Sequence, residues 1–265
     1  MGFFLVMKAE VVRSLIIMRR YWFATATGIV IAYAMFMTLI FGFMKGVVDP
    51  GWAERATGTT LGLVIGMFAF GIAGIFTQGL QTMARSGELE QLCMSPHGLI
   101  ANFMARSCVG AAVSILSWTV LLALISATLK TKLHIAPVPI VMLLILTYIN
   151  LIGFGFMVGG LVLVFKQTGQ VAMILRMALM GIAVTVSEKI YEWPAPLRIL
   201  AHMAPISDAT ICLKRVLLDG AGMGIVTHAS FFCLIISCVV WTTLGLACFK
   251  FMENWSRDKG TLGVY

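Results

Sequence analysis

Apolar runs separated by short charged islands make up almost the whole chain. Residues 21–44 contain no charged side chain. At 1.5 Å per residue they are long enough to cross a hydrocarbon core of about 30 Å, and Tyr21 and Trp22 stand at their start as interfacial anchors. Residues 56–83, 107–129, 140–165 and 225–249 repeat the pattern, and 171–187 gives a shorter run carrying one charge, Arg176. Polar connections fall between them: 45–55 with the turn Asp49-Pro50-Gly51, the stretch from Lys130 through Pro139, and the tight link 166–170. The pattern predicts an all-α integral membrane fold with six transmembrane helices in one transmembrane domain over 1–265.

Within the runs, small and polar residues mark helix contacts. Gly62, Gly66, Gly71, Gly74 and Gly79 in the second run, and Asn150 with Gly153, Gly155, Gly159 and Gly160 in the fourth, fit close helix packing. Glycine is also simply common in membrane helices. Arg176 lies two turns into its helix. A charge at the bilayer centre costs about 2.5–3.5 kcal/mol on the insertion scale, and from this depth the side chain can reach the interface.

Residues 1–20 resemble no cleavable leader, because Lys8, Arg13, Arg19 and Arg20 are interleaved with apolar residues. Val6, Ala9, Val12, Leu15 and Ile16 recur at spacings of three and four, opposite Lys8, Arg19 and the Glu10/Arg13 pair. That predicts an amphipathic helix lying in the headgroups before the first span.

Two segments are too polar or too broken to cross. The first, 85–96, reads Arg-Ser-Gly-Glu-Leu-Glu-Gln-Leu-Cys-Met-Ser-Pro. Ser86 is placed to cap a helix over 86–95, Glu88 and Glu90 sit in its first turns, and Pro96 stops it. Leu89, Leu92 and Cys93 share a face, with Glu88 and Gln91 on another. On spacing alone the island fits a solvated loop as well as a docking helix. The second segment is 188–224. Pro194 and Pro196 start one short helix, Ala204-Pro205 breaks it, Ser207 and Asp208 cap another, and Asp219-Gly220 ends that. Two short apolar helices in a row predict a re-entrant hairpin, with a plain external loop as the other reading.

Composition agrees with membrane insertion and excludes several classes. Hydrophobic residues make up 60% and charged residues 11%, with a mean hydropathy of +0.98; a soluble domain would carry about a quarter charged residues. The net charge of +8 is spread over the ends of apolar runs rather than gathered in an aromatic-interleaved patch, so no nucleic acid partner is expected. The six cysteines read as small apolar residues, and no Cys or His pair has zinc-ligand spacing, so no metal site is expected. Placing both termini in the cytosol puts eleven of nineteen Lys and Arg there, four of them before Tyr21. That orientation puts 86–95 in the cytosol and 188–224 outside.

At those two segments the chain resembles the type-2 ABC exporter permeases, the membrane subunits of ATP-binding cassette exporters of drugs, lipids and glycoconjugates. The family's cytosolic coupling helix carries E-R-x-x-G-T-L-E-x-L-x-x-[ST]-P, and Gly87, Leu89, Glu90, Leu92, Ser95 and Pro96 stand in register. Met83 and Ala84 replace the Glu-Arg, and Glu88 replaces the threonine. Pro205, Asp208-Ala209 and Leu217-Leu218-Asp219-Gly220 are similar to the family's extracellular P-[LI]-[ST]-x-A…R-x-[LI]-x-x-G segment. The resemblance covers nearly the whole chain.

It implies an ATPase-coupling surface at Gly87, Glu88, Leu89, Glu90, Gln91, Leu92, Ser95 and Pro96, and a second permease chain of the same or a related kind. The chain has no G-x-x-x-x-G-K-[ST] phosphate loop, so the resemblance places ATP and magnesium on a separate ATPase subunit and no cofactor or catalytic residue on this one. It implies a bacterial or archaeal cytoplasmic membrane and outward movement of an amphipathic drug, lipid or glycoconjugate. Met173, Met177 and Met180 along the fifth run offer an adaptable apolar surface, with Arg176 beside them for an anionic headgroup; ordinary packing and membrane lipid contact explain the methionines too. The competing reading is an ion-gradient-driven secondary transporter, for which acidic residues inside the spans would be expected.

Overall fold

The computed structural model describes residues 2–44, 52–94, 98–130, 133–165, 169–186 and 188–258. Among the described residues it is all-helical. In chain order the helices are α1 (Gly2–Arg20), α2 (Trp22–Met44), α3 (Trp52–Ser86), α4 (Glu88–Cys93), α5 (Gly98–Leu129), α6 (Pro137–Phe165), α7 (Gly169–Thr185), α8 (Ala195–Met203), α9 (Ser207–Leu217) and α10 (Ala229–Asp258), with 3₁₀ turns at Glu188–Glu192 and Gly222–Thr227. Five stretches are long and apolar enough to cross a membrane: Trp22–Gly42, Ala56–Ser86, Gly98–Leu129, Pro137–Val164 and Ala229–Ser256. α7 covers the remaining apolar run with 17 residues, about 25 Å of helix. The protein has the character of an integral membrane protein.

α3 is the centre of the bundle. It packs on α7, α6 and α5, while α6 makes its most extensive contact with α10. Phe76 of α3 stands 6.0 Å from Phe103 of α5 and 4.8 Å from Phe156 of α6, which in turn meets Phe249 of α10 at 5.1 Å. This aromatic ladder ties four helices together with edge and offset geometries that suit ring quadrupoles.

Close approach explains some of the glycines and not others. A Cβ at Gly62 or Gly66 would meet the α7 backbone at Ala183 or Met180, and one at Gly153 would collide with the α10 backbone at Trp241 and Thr242. Gly71 and Gly79 face open space instead. Asn150 adds a polar contact at the α6–α10 seam: its Nδ2 donates to Pro205 O at 2.8 Å and to Ser237 Oγ at 3.0 Å.

Two expected caps are not made. Ser86 belongs to the last turn of α3, where its hydroxyl donates back to Met83 O at 3.2 Å, so it cannot cap the next helix. Ser207 and Asp208 lie inside α9, whose N-cap is Ile206 without a side-chain bond; the Asp208 carboxyl is drawn to His202, and Ser207 Oγ has no partner.

Candidate functional site

The α3–α4–α5 joint is the first place where sequence chemistry and geometry coincide. α3 ends because Gly87 takes φ +74, a left-handed conformation that favours glycine. The chain then restarts at once as α4, six residues long rather than the ten expected from Ser86 to Ser95. Leu89 is fully buried in the main core with Met83, Leu99 and Phe103, and Leu92 packs against the same cluster. Gln91 and Met94 are exposed on the opposite side, as is Arg85 at the end of α3. α4 is thus seated by one apolar face and presents the other outward. The Glu90 side chain, Ser95 and Pro96 lie outside the described residues.

Glu88 faces sideways, toward the N-terminal helix. Arg13 of α1 lies 3.7 Å from Glu10 and 3.9 Å from Glu88, and Arg106 of α5 lines the same small pocket with Asn102 and Phe103. Two carboxylates and two guanidiniums therefore gather where α1, α4 and α5 meet. Both carboxylates retain solvent contact, so the pairing contributes modestly to stability, about 0–1 kcal/mol per pair. Its chief effect is positional: it connects α4 to the amphipathic helix. On α1, Glu10, Ser14 and Met18 turn toward the protein, and the apolar positions Val12, Leu15 and Ile16 are left exposed.

The four residues singled out on α7 separate onto two faces. Met173 and Met177 are exposed. Arg176 instead points into the bundle, nearly fully buried, and does not reach for an interface. Its Nε donates to Phe70 O at 3.0 Å, and its guanidinium carbon lies 3.8 Å from the centre of the Phe70 ring. Gly74 supplies the room, since a Cβ there would come within 2.6 Å of Nη2. Met180 is half-buried against Gly66. An arginine with a carbonyl and an aromatic face as partners is a helix-packing device here.

The segment between α7 and α10 has one exposed and one enclosed helix. Pro194 precedes α8 with φ −52 and ψ 143, and Pro196 falls in its first turn, where the missing N–H is harmless. No residue of α8 is buried. Before Pro205 the chain is extended at Ala204, as a following proline demands, and α9 then runs almost wholly buried against α6 and α10. Gly220, φ +67, ends it in a left-handed turn with Ala221 N–H bonded to Arg215 O.

The carbonyls freed by these breaks are taken up by side chains. Trp241 Nε1 donates to Met203 O at 3.0 Å, Asn150 Nδ2 to Pro205 O, and Lys214 Nζ to Val186 O at 2.8 Å. Burial holds the Lys214 ammonium down at about 8 and raises the carboxyl of Asp208, against the pull of His202. Tyr191 is shifted up by burial as well and shares a short hydrogen bond with Ser230.

A largely apolar cavity of about 410 Å³ opens between α3, α5, α6 and α9. Leu61, Ile65, Trp118, Leu122, Leu144 and Leu213 line it, with Thr119, Ser126 and Thr147 as its polar spots. Sequence reasoning missed it because its walls come from four helices, each contributing residues that look like ordinary span. No family model, curated protein or solved structure matches the chain.

Proposed function

We propose that this chain is the membrane-spanning permease subunit of an ATP-binding cassette exporter, working with a separate ATPase that holds ATP and magnesium, and with a second permease chain. In this reading α2, α3, α5, α6, α7 and α10 are six spans, the termini are cytosolic, and α8 and α9 form a re-entrant pair at the outer side of a bacterial or archaeal cytoplasmic membrane. The observation that carries the reading is α4: a helix set off from α3 by left-handed Gly87, anchored through buried Leu89, and presenting Gln91 outward. A short helix held on one face and open on the other is shaped to seat in a cleft of a partner. The side-chain donors to Met203, Pro205 and Val186 support the re-entrant assignment, because broken backbone at membrane depth needs protein partners.

The substrate class is an amphiphile. The apolar cavity between α3, α5, α6 and α9 has a volume suited to an acyl chain or a small apolar ring system, and its three hydroxyls orient without demanding charge. The test is copurification from native membrane in mild detergent, with ATPase activity as readout. An ATPase subunit should copurify with the wild type, and Glu90→Lys should lower its stimulation at least about tenfold while leaving membrane insertion intact; a 1.4 kcal/mol loss at the contact suffices for that. Absence of any ATPase, together with transport that ignores ATP depletion, rejects the reading.

A further inference from the structure

Three elements meet at one polar point on the segment between α7 and α10. His202 lies in the last turn of α8, Asp208 in the first turn of α9, and Cys233 in the second turn of α10. The imidazole, carboxylate and thiol ligand atoms all lie within 4.8 Å of one another. His202 Nδ1 is 2.8 Å from Asp208 Oδ1. The other carboxylate oxygen, Oδ2, is buried with no hydrogen-bond partner, in a residue only 2% exposed. A buried, unpartnered carboxylate oxygen has given up water and received nothing in exchange, so it is costly unless something satisfies it. The His202 side chain keeps 19% of its surface, so the point is reachable from outside the fold.

We propose that His202, Asp208 and Cys233 form a binding site for a divalent transition-metal ion, zinc before all others. One nitrogen, one oxygen and one sulfur donor match the mixed ligand sets of zinc, which has no geometric preference of its own and takes three protein ligands with a fourth position left for water. Zinc ligands at 2.0–2.3 Å in a tetrahedron stand about 3.3–3.6 Å apart. The three donors reach that spacing by side-chain adjustment: the His202–Asp208 contact opens slightly and the thiol draws in. Binding replaces the His–Asp hydrogen bond with two metal bonds, so the proton of that bond leaves Nδ1 and the carboxylate for Nε2 or solvent; the thiol proton is released to solvent as well, and the metal gives the buried carboxylate a full charge partner. The ion would join α8, the one helix of the segment with no buried residue, to enclosed α9 and to α10.

Cobalt(II) tests this directly. The full chain, purified in detergent and stripped with a chelator, is titrated with Co²⁺ alone. The expected result is one equivalent bound, with ligand-field absorption of tetrahedral intensity and a thiolate-to-cobalt charge-transfer band, both erased by added Zn²⁺. Cys233→Ser is nearly isosteric and keeps the fold; it should abolish the charge-transfer band and weaken binding more than about 100-fold, beyond the loss typical of outer-shell changes. Cys108→Ser, on the exposed side of α5, should change nothing. Zn²⁺ should raise the melting temperature of the wild type and not of Cys233→Ser. No charge-transfer band at stoichiometric cobalt, or one that survives in Cys233→Ser, overturns the site. The readout needs neither transport nor ATPase, so its failure leaves the permease reading where it stood.

Discussion

Single residues carry the polar logic of this apolar fold. Asn150 holds Pro205 O and Ser237 together across the α6–α10 seam, so Asn150→Leu strands a buried carbonyl. The expected loss is about 1–3 kcal/mol, read as a lower melting temperature in detergent. Lys214 makes a pH-dependent contribution. Its folded value of about 8 lies below its ordinary 10.5, so between those values the unfolded chain binds a proton that the folded chain has released. Stability therefore rises with pH across that window. Melting curves at about pH 7.5 and about pH 9.5 should show the rise in the wild type and a smaller one in Lys214→Met. Arg176 was visible in sequence as an intramembrane charge, yet not its destination. The side chain turns inward because Phe70 offers a carbonyl and a ring at the point where Gly74 clears space, a coincidence of two helices that no single stretch displays. The same holds for His202, Asp208 and Cys233, whose spacing along the chain matches no metal motif and whose meeting depends on the break at Pro205.

At the scale of elements, apolar periodicity located the helices and charge misplaced some of their ends. The third run was expected to begin at 107, after Arg106, but α5 begins at Gly98. Arg106 marks an edge of the apolar zone, not of the helix, and the extra turns carry Asn102 and Arg106 to the α1–α4 cluster. α10 likewise runs past Lys250 to Asp258. The proline and glycine signals of α8 and α9 were legible because their effects are local: Pro194, Pro205 and Gly220 each act on the adjacent backbone. The caps at Ser86 and Ser207 were misread because a serine hydroxyl bonds to whichever backbone group the neighbouring packing leaves near it. Glycine function separates the same way. Gly153→Leu has no room against the α10 backbone and should destabilise the fold by about 1–3 kcal/mol or more, whereas Gly71→Leu on open space should melt within about 0.5 kcal/mol of wild type.

The whole molecule has two polar ends with an apolar body between them. One gathers Glu10, Arg13, Glu88 and Arg106; the other gathers the α8–α9 segment. Three helices, α5, α6 and α7, separate the two along the chain, which puts them on opposite membrane faces if each crosses once. In sealed vesicles of known sidedness, cysteines placed at Ser86 and at Arg198 in a background lacking Cys108 should react with an impermeant maleimide from opposite sides; labelling of both from one side would remove α7 from the set of spans. The all-helical, membrane-like character was readable from the run lengths, while the cavity between α3, α5, α6 and α9 and the meeting of His202, Asp208 and Cys233 are assembled from separate helices of the chain.

α3 is also a mechanical element. About 40 Å of continuous helix lies between left-handed Gly87 and Gly58, where Leu218 stands next to the helix. A rod of that length is a lever pivoted at its α4 end. Swinging it by about 10° sweeps the Gly58 end through about 7 Å, more than one helical pitch, while Leu89 near the pivot hardly moves. A small rotation at the α4 end is therefore returned as a large travel at Gly62, where the helix lies against Ala183 of α7 and Lys214 of α9.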